Sequence, residues 1–274
     1  MDVLDPDRRG RGGAIRIGLL TPHAAIGPEE EFPAMAPGRL VTRVVRVPSD
    51  AAAVGAAGNT PTTPPALRAL TAASALDDAA KMLATSSMDV VGYASTTTAY
   101  AIGFDAEAAM VSRLSALLAV PVAATCASAV LALRVLDIER VALIGAPWFD
   151  AELNELGAAY FSSQGFDVTS SASAGLSRDP GRIEPAAVCA WTSRHLGDEA
   201  EGIFIGGNGF RAAGAIEPLE AAIGRPVLTS NQVLLWNLLA HAGVPVEING
   251  YGQLFEQKLP SLPSSRTCAG GETP

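Results

Sequence analysis

The sequence predicts an α/β protein made of two similar halves, each built around a parallel β-sheet. Three kinds of short apolar segment, each ending in a loop of small residues, occur once in each half. "RIGLLTPH" recurs as "RVALIGAPW", "VVGYASTTT" recurs as "GIFIGGNG", and "VPVAATCASAVLALRVL" recurs as "RPVLTSNQVLLWNLLA". The third pair aligns Cys126 with Asn231. Repeats of roughly 100 residues exceed the about 20–50 residues of a solenoid unit, so we expect two similar domains whose loops face one shared cleft.

Strand and helix patterns alternate along the chain. The strand candidates are short apolar or β-branched runs: "AIRIGLL", "RLVTRVVRV", "DVVGYA", "VPVAAT", "RVALIGA", "FDVTSSAS", "GIFIGG" and "RPVLTS". Between most of them, apolar residues recur at intervals of three and four, which predicts helices over residues 66–85, 106–118, 128–136, 151–164 and 185–196. This alternation predicts parallel sheets covered on both faces, with ligands bound beyond the carboxyl ends of the strands.

Composition excludes several classes of function. The 274 residues carry a formal net charge of −9, and a nucleic-acid partner is not expected because such a surface needs clustered Lys and Arg. Three cysteines without a CxxC pair and three histidines argue against a disulfide framework and a metal site. No apolar run reaches the roughly 18 residues of a membrane span, and the N-terminus has no signal-peptide core. We therefore expect a cytoplasmic protein without a membrane partner, and a homo-oligomer is compatible with the sequence.

The domain boundaries follow from composition and from the repeat. Residues 1–14 and 259–274 are rich in Gly, Pro, Ser and charge, so we expect two flexible ends. The first domain is expected over residues 15–118, completed by a C-terminal helix near 231–258, and the second over residues 119–230. Residues 48–65 show no period and predict a long surface loop or a lid.

Loops that follow the predicted strands are dominated by hydroxyls, amides and glycines. They are Thr21-Pro22-His23, Ser95-Thr96-Thr97-Thr98, Thr125-Cys126-Ala127-Ser128, Ala146-Pro147-Trp148, Gly206-Gly207-Asn208-Gly209 and Thr229-Ser230-Asn231. Each precedes a helix pattern, whose N-terminal amides favour an anion such as a carboxylate or a phosphate. Helix capping is the alternative for any one loop, but four consecutive hydroxyl residues exceed what one cap requires. A P-loop is absent, and the loose GxGxxA pattern at residues 207–212 lacks the acidic residue of a dinucleotide site.

Four segments resemble the aspartate/glutamate racemase superfamily, in its maleate cis-trans isomerase and arylmalonate decarboxylase branch. They are "VVGYASTTTAYAIG", "VPVAATCASAVLALRVLDIERVALIGAPW", "IFIGGNGFRAAGAIEPLEAAIGRPVLTSNQVLLWNLL" and "NGYGQLF". The resemblance covers about residues 15–257. It implies two pseudo-symmetric, flavodoxin-like domains with a cofactor-free active site in the cleft between them. It also implies a small mono- or dicarboxylic acid as substrate.

The resemblance assigns the carboxylate-binding residues. The run Ser95-Thr96-Thr97 matches the family's Gly-Thr-Ser run, whose hydroxyls and amides bind a substrate carboxylate. The segment Gly207, Asn208 and Gly209 lies in the loop that carries the family's second cysteine, and it would contribute donors from the second half. Trp148 stands where the family has a tyrosine, and would form a wall of the pocket.

Both family cysteines are missing, so several residues are candidates for the proton donor or nucleophile. The first cysteine position falls nearest to Ser95. Cys126 begins a predicted helix, whose dipole would lower the pKa of its thiol; the alternative is a small buried residue. His23 can act as an acid or base near neutral pH, or be an exposed loop imidazole. The run Glu29-Glu30-Glu31 can supply a base, although a solvated helix start is the simpler interpretation, and Arg211 is a candidate carboxylate clamp.

These residues predict a cofactor-independent isomerase or decarboxylase acting on a small carboxylic acid, with catalysis by Ser95, Cys126 or His23. A carboxylate-binding or sensory protein that lacks catalysis is the alternative, because Ser and Gly do not replace a thiol unaided as acid–base groups.

Overall fold

The structure is a computed structural model that describes residues 13–22, 26–48 and 63–257. Its strands form two four-stranded parallel sheets, with strand orders β2-β1-β3-β4 and β6-β5-β7-β8. The strands are β1 (Ile15–Pro22), β2 (Leu40–Val47), β3 (Val90–Tyr93), β4 (Val122–Ala124), β5 (Arg140–Gly145), β6 (Asp167–Ser173), β7 (Gly202–Ile205) and β8 (Val227–Thr229). The prediction of an α/β fold with two parallel sheets is confirmed.

Helices connect the strands and cover the sheets. They are α1 (Pro28–Met35), α2 (Pro64–Ala69), α3 (Ala73–Ala84), α4 (Thr96–Ile102), α5 (Phe104–Leu118), α6 (Thr125–Val135), α7 (Ala151–Ser162), α8 (Pro185–His195), α9 (Ile216–Ile223) and α10 (Ser230–Ala242). The helix expected over residues 66–85 is therefore two helices. Of the residues predicted to form a long loop or lid, 49–62 lie outside the described residues. Within the described part of the chain, none of the helices combines the length and apolar character that crossing a membrane requires.

The two sheets repeat the same strand register. Ile17 pairs with Val90 between β1 and β3, and Val141 pairs with Gly202 between β5 and β7. These are equivalent positions in the repeated segments. An ion pair also recurs at the start of each strand pair, from Arg16 to Asp89 at 2.7 Å and from Arg140 to Glu201 at 2.9 Å. The repeat seen in the sequence is thus a repeat of strand pairing.

The division between the sheets differs from the expected boundary at residue 118. β4 pairs with β3 in the first sheet, so the chain leaves this sheet only after Ala124. The last helix, α10, follows β8 of the second sheet but packs on the first. Gly92 of β3 allows this approach, since a Cβ there would lie 3.0 Å from Leu238 and 3.4 Å from Leu234 of α10.

Amphipathic sequence patterns explain how the helices pack. In α3, the buried residues Leu76, Ala79, Ala80 and Leu83 are spaced by three and four, which places them on one face of the helix. In α10, eleven of the thirteen residues are buried, including Trp236. A helix buried on nearly all sides lies between layers, and the buried apolar side chains of both halves form one continuous core.

Candidate active site

The loops that follow β3 and β7 meet at the junction of the two halves. Thr96 begins the helix after β3, and Asn208 occupies the equivalent position after β7. The backbone N–H and the hydroxyl of Thr96 both donate to Oδ1 of Asn208, at 3.1 Å and 3.2 Å. Both side chains are buried, with exposed fractions of 2% and 4%. The two predicted binding loops are therefore in direct contact.

A second pair of residues extends this contact with the symmetry of the repeat. Thr125 begins α6 after β4, and Ser230 begins α10 after β8. Thr96 lies 2.9 Å from Ser230, hydroxyl to hydroxyl, while Nδ2 of Asn208 donates to the hydroxyl of Thr125 at 3.1 Å. The N–H of Gly207 donates to the hydroxyls of both Thr96 and Ser230, at 3.1 Å and 2.9 Å. Each half thus supplies the residues that follow two of its strands to a buried polar cluster, Thr96 and Thr125 from the first half and Asn208 and Ser230 from the second.

The buried carboxyl group of Glu31 is linked to this cluster through Asn231. Nδ2 of Asn208 donates to Oδ1 of Asn231 at 2.9 Å, and Nδ2 of Asn231 donates to Oε2 of Glu31 at 2.6 Å. The N–H of Ala213 donates to the other carboxyl oxygen of Glu31 at 2.7 Å. Burial raises the pKa of Glu31 to about 7, although both hydrogen bonds and nearby Arg211 favour its charged form. Glu31 was expected in a solvated helix start; instead it is buried, because α1 packs against α10 and the loop after β7.

The predicted carboxylate-binding residues differ in how accessible they are. Thr97, Gly207, Gly209 and Trp148 are partly exposed. Among the described residues, the Thr97 hydroxyl has no hydrogen-bond partner, so its donor is available to a ligand. The indole of Trp148 packs edge-on against Phe210, with ring centroids 6.1 Å apart, and can form a wall beside the loop after β7.

Ser95 serves as a helix cap. Its hydroxyl accepts a hydrogen bond from the N–H of Thr98 at 3.3 Å and lies 2.7 Å from the Thr98 hydroxyl. Its exposed fraction is 4%. The capping interpretation therefore accounts for Ser95, and in this conformation its oxygen is directed at α4. The polar side chain beside Ser95 is the hydroxyl of Thr98, which does not act as a general base near neutral pH.

Cys126 is fully buried, and its Sγ lies 3.7 Å from the carbonyl oxygen of Thr96. Burial, followed by repulsion from Glu107, raises the pKa of the thiol well above its ordinary value. The expectation that the helix dipole lowers this pKa is wrong. The loss of solvent on burial destabilises the thiolate by more than the helix N-terminus stabilises it.

Glu107 forms a second buried contact between the halves. It lies on α5, and its Oε2 accepts a hydrogen bond from the hydroxyl of Tyr160 on α7. Burial raises the pKa of Glu107 to about 7, while Tyr160 and the amides of Cys126 and Ala127 favour the charged form. Oε1 has no hydrogen bond of standard geometry among the described residues. This carboxyl group joins three helices beneath the loop after β3.

The remaining candidates are placed as follows. Arg211 forms an ion pair with Glu30 and donates to the carbonyl oxygen of Pro180 at 2.9 Å, so it ties α1 to the loop after β7 and is not an unpaired carboxylate clamp. His23 lies outside the described residues. Among the residues that the structure describes, no group of three or more His, Cys, Asp or Glu side chains has the geometry of a metal site.

Four residues of the cluster were not assigned a place in the site from sequence. Thr125, Ser230 and Asn231 belong to the polar loops that follow β4 and β8, and Glu31 was named only together with Glu29 and Glu30 as a candidate base. Glu31 carried no signal that separated it from Glu29 and Glu30, because its burial depends on contacts with residues about 200 positions away along the chain.

Comparison with known proteins agrees with this architecture. A model of the arylmalonate decarboxylase family matches residues 70–255. Maleate isomerase from Pseudomonas putida S16, as a cysteine-to-alanine variant with maleate, has a TM-score of 0.75 and 22% identity, over 89% of this chain and 98% of its own. A crystal structure of arylmalonate decarboxylase has a TM-score of 0.69 and 21% identity, over 89% and 100%. Maleate cis-trans isomerase from Nocardia farcinica, as a cysteine-to-serine variant with a covalently bound succinylcysteine intermediate, has a TM-score of 0.74 and 24% identity, over 89% and 98%.

A comparison with curated protein sequences finds no match. At these identities the structural neighbours show the fold, while the family model covers more than half of the sequence. The chain therefore belongs to the arylmalonate decarboxylase family.

Proposed function

We propose that this protein is a cofactor-independent isomerase or decarboxylase that acts on a small mono- or dicarboxylic acid. Family membership supports the reaction class, and the maleate isomerase and arylmalonate decarboxylase structures of the same fold support a carboxylate as substrate. One observation carries the proposal. The N–H and the hydroxyl of Thr96 converge on a single acceptor oxygen at the junction of the halves, which is the arrangement that a carboxylate oxygen requires.

The same donors suit the charge that such reactions create. Isomerisation and decarboxylation of these acids generate an electron pair on the carbon next to a carboxylate. This pair delocalises onto the carboxylate oxygens, which gain further negative charge as the group becomes enediolate-like. The two donors of Thr96, once they face a substrate oxygen in place of Asn208, would stabilise this charge, and the hydroxyl of Thr97 is a further candidate donor. Gly209 and Trp148 would border the ligand on the side of the second half.

We assign the acid–base step to His23. The hydroxyl of Ser95 is engaged in capping α4, and the thiol of Cys126 is buried with a raised pKa. His23 directly follows β1 in the sequence, and an imidazole exchanges protons near neutral pH. This assignment leaves one acid–base group, which is enough for decarboxylation followed by protonation and too few for exchange on both faces of a racemase substrate.

A carboxylate-binding protein without catalysis is the second candidate. It is favoured by Gly207, which stands in the loop in which the family carries its second cysteine, and by the burial of the Cys126 thiol next to Thr96. The succinylcysteine intermediate of the Nocardia farcinica isomerase has no counterpart that this loop could form.

Proton NMR in deuterated buffer separates the two candidates. Wild-type protein incubated with maleate and with phenylmalonate is expected to form fumarate, or phenylacetate with deuterium at the α-carbon. His23→Gln should abolish turnover without abolishing binding, whereas Cys189→Ala, on the distant helix α8, should retain it. Binding of either acid without turnover by the wild type would favour the non-catalytic candidate. Full activity of His23→Gln would show that the acid–base assignment is wrong.

A further inference from the structure

The side-chain amide of Asn208 already fills the acceptor position of the Thr96 loop. Its Oδ1 receives both the N–H and the hydroxyl of Thr96. It also lies 3.4 Å from the hydroxyl of Thr125. An amide oxygen that accepts two converging donors occupies the place that one oxygen of a bound carboxylate would take.

The two hydrogens of the Asn208 amide are also used. Nδ2 donates to the hydroxyl of Thr125 at 3.1 Å and to Oδ1 of Asn231 at 2.9 Å. Because an amide nitrogen has only two hydrogens, Asn208 has none left for a substrate in this conformation. The expectation that Asn208 donates to the ligand therefore does not fit the observed contacts.

Asn231 and Glu31 hold the side-chain amide of Asn208 in this orientation. Oδ1 of Asn231 faces Asn208 because Nδ2 of Asn231 is directed to Glu31, at 2.6 Å, and to the carbonyl oxygen of Asn208, at 2.9 Å. Glu31, as an acceptor, thus fixes which end of the Asn231 amide meets Asn208. In turn, Asn231 fixes which end of the Asn208 amide meets Thr96.

We propose that Asn208 is an internal ligand of the carboxylate-binding loop, held by Asn231 and Glu31, and that a carboxylate binds at Thr96 only by displacing it. This inference rests on the proposed function and adds a determinant of its affinity and specificity. A ligand oxygen must accept the two hydrogen bonds of Thr96 more strongly than the amide oxygen of Asn208 does. A charged carboxylate oxygen therefore displaces Asn208, while a neutral carbonyl oxygen does not. Asn231 and Glu31 are positioning residues in this arrangement.

Removal of the internal ligand should strengthen binding and weaken the fold at the same time. Isothermal titration calorimetry with maleate and with phenylmalonate would compare the wild type with Asn208→Gly and Asn208→Ala. We expect both variants to bind at least one of these acids about tenfold more tightly, because the fraction of protein with free Thr96 donors rises. Their melting temperatures should fall, since Thr125 and Asn231 lose partners.

Asn237→Ala is the matched control. Asn237 is also buried, and its Nδ2 donates to the hydroxyl of Ser128 at 3.0 Å, away from the Thr96 contact. This variant should lose stability without a gain in affinity. If the Asn208 variants do not fold, Glu31→Gln and Asn231→Ala loosen the same amide and should raise affinity, by a smaller factor.

Affinity that is unchanged or reduced in the folded Asn208, Asn231 and Glu31 variants would overturn the internal-ligand proposal, while the proposed function would stand because the wild type binds. If neither the wild type nor any variant binds either acid, the proposed function fails, and the inference fails with it. Tighter binding by the control as well would assign the effect to general loosening of the fold and would also reject the proposal.

Discussion

At the scale of single residues, the cluster is held by hydrogen bonds that all run in compatible directions. A hydroxyl has one hydrogen, and that of Thr96 goes to Asn208 while its oxygen accepts from Gly207. Ser230 can then donate to Thr96 across 2.9 Å. Each buried polar atom thereby gains a partner, and loss of one side chain leaves its neighbours unsatisfied at a cost of about 1–3 kcal/mol each.

Thr96 and Thr97 should respond differently to replacement by valine, which preserves shape and removes the hydroxyl. Thr96→Val should lower the free energy of unfolding by about 1–3 kcal/mol and also weaken carboxylate binding. Thr97→Val should weaken binding with little change in stability, since its hydroxyl has no partner among the described residues. Urea denaturation and calorimetry with phenylmalonate would measure both. Equal loss of stability in the two variants would contradict the difference in their contacts.

The buried position of Cys126 predicts an unreactive thiol. In the native protein, iodoacetamide should modify partly exposed Cys189 before Cys126, because the thiolate needed for the reaction is disfavoured at both sites but Cys126 also excludes the reagent. A Cys268→Ser background removes the remaining thiol. Mass spectrometry of tryptic peptides would give the order of labelling. Rapid modification of Cys126 at neutral pH would show that it is accessible and would restore it as a candidate nucleophile.

At the scale of secondary-structure elements, α1 is fastened to the loop after β7. Gly27 precedes α1, and a Cβ at this position would overlap the carbonyl oxygen of Asn208. Ion pairing of Arg211 with Glu30 and the contacts of Glu31 act at the same boundary. A helix of the first half thus fixes the backbone of the second-half loop that carries Asn208.

Gly27→Ala should therefore be strongly destabilising. The added methyl group meets backbone, which cannot move aside as a flexible side chain would, so we expect a loss of at least about 2 kcal/mol. Gly197→Ala is a suitable control, because nothing lies within 4 Å of its added Cβ and its backbone is not left-handed. Its effect should stay within about 0.5 kcal/mol. Thermal and urea denaturation would compare the two, and a neutral Gly27→Ala would contradict the observed packing.

Glu107 should make the stability of the α5–α7 contact depend on pH. Its pKa rises from 4.5 to about 7 on folding, so the folded state binds more protons than the unfolded state between these values. The stabilising contribution is present below pH 4.5 and is lost as the pH rises through 7. Relative to the wild type, Glu107→Gln should gain on the order of 3 kcal/mol between pH 4.5 and 8.

Urea denaturation of both proteins across this range would measure that difference, in which the other titrating groups cancel. Tyr160→Phe is the companion variant. It removes a hydrogen bond that favours the charged carboxylate, so the loss of stability should be centred at a higher pH than in the wild type. A difference between wild type and Glu107→Gln that does not vary with pH would mean that Glu107 keeps its ordinary pKa on folding.

At the scale of the whole molecule, the sequence predicts what depends on local pattern and repetition. The strands, their parallel pairing and the proximity of the loops at Thr96 and Asn208 follow from apolar runs and from the repeat. The separation of α2 from α3 was missed, since Leu67 and Leu70 are buried and continue the helical spacing of the apolar residues. The burial of Glu31 was missed because it is decided by long-range packing.

The connection between the halves is more extensive than two linked domains would need. Helix α10 leaves the second sheet and covers β3 of the first, where Leu234 and Leu238 approach Gly92. The polar cluster and the Glu107–Tyr160 contact cross the same junction. Neither half can keep its core covered without the other, so the site at their junction is a feature of the complete fold.

This interdependence predicts a single cooperative unfolding transition. Trp236→Phe leaves Trp148 and Trp191 as reporters of the second half, whereas Trp148→Phe combined with Trp191→Phe leaves Trp236, which is fully buried in α10. In each variant, the urea midpoints from tryptophan fluorescence and from far-ultraviolet circular dichroism should coincide, as two-state unfolding requires. Leu238→Ala should lower the free energy of unfolding by about 2–5 kcal/mol. The fluorescence and dichroism midpoints should fall together as a result. Distinct fluorescence and dichroism midpoints in either variant would instead show that the halves unfold independently, and that the site does not depend on their mutual packing.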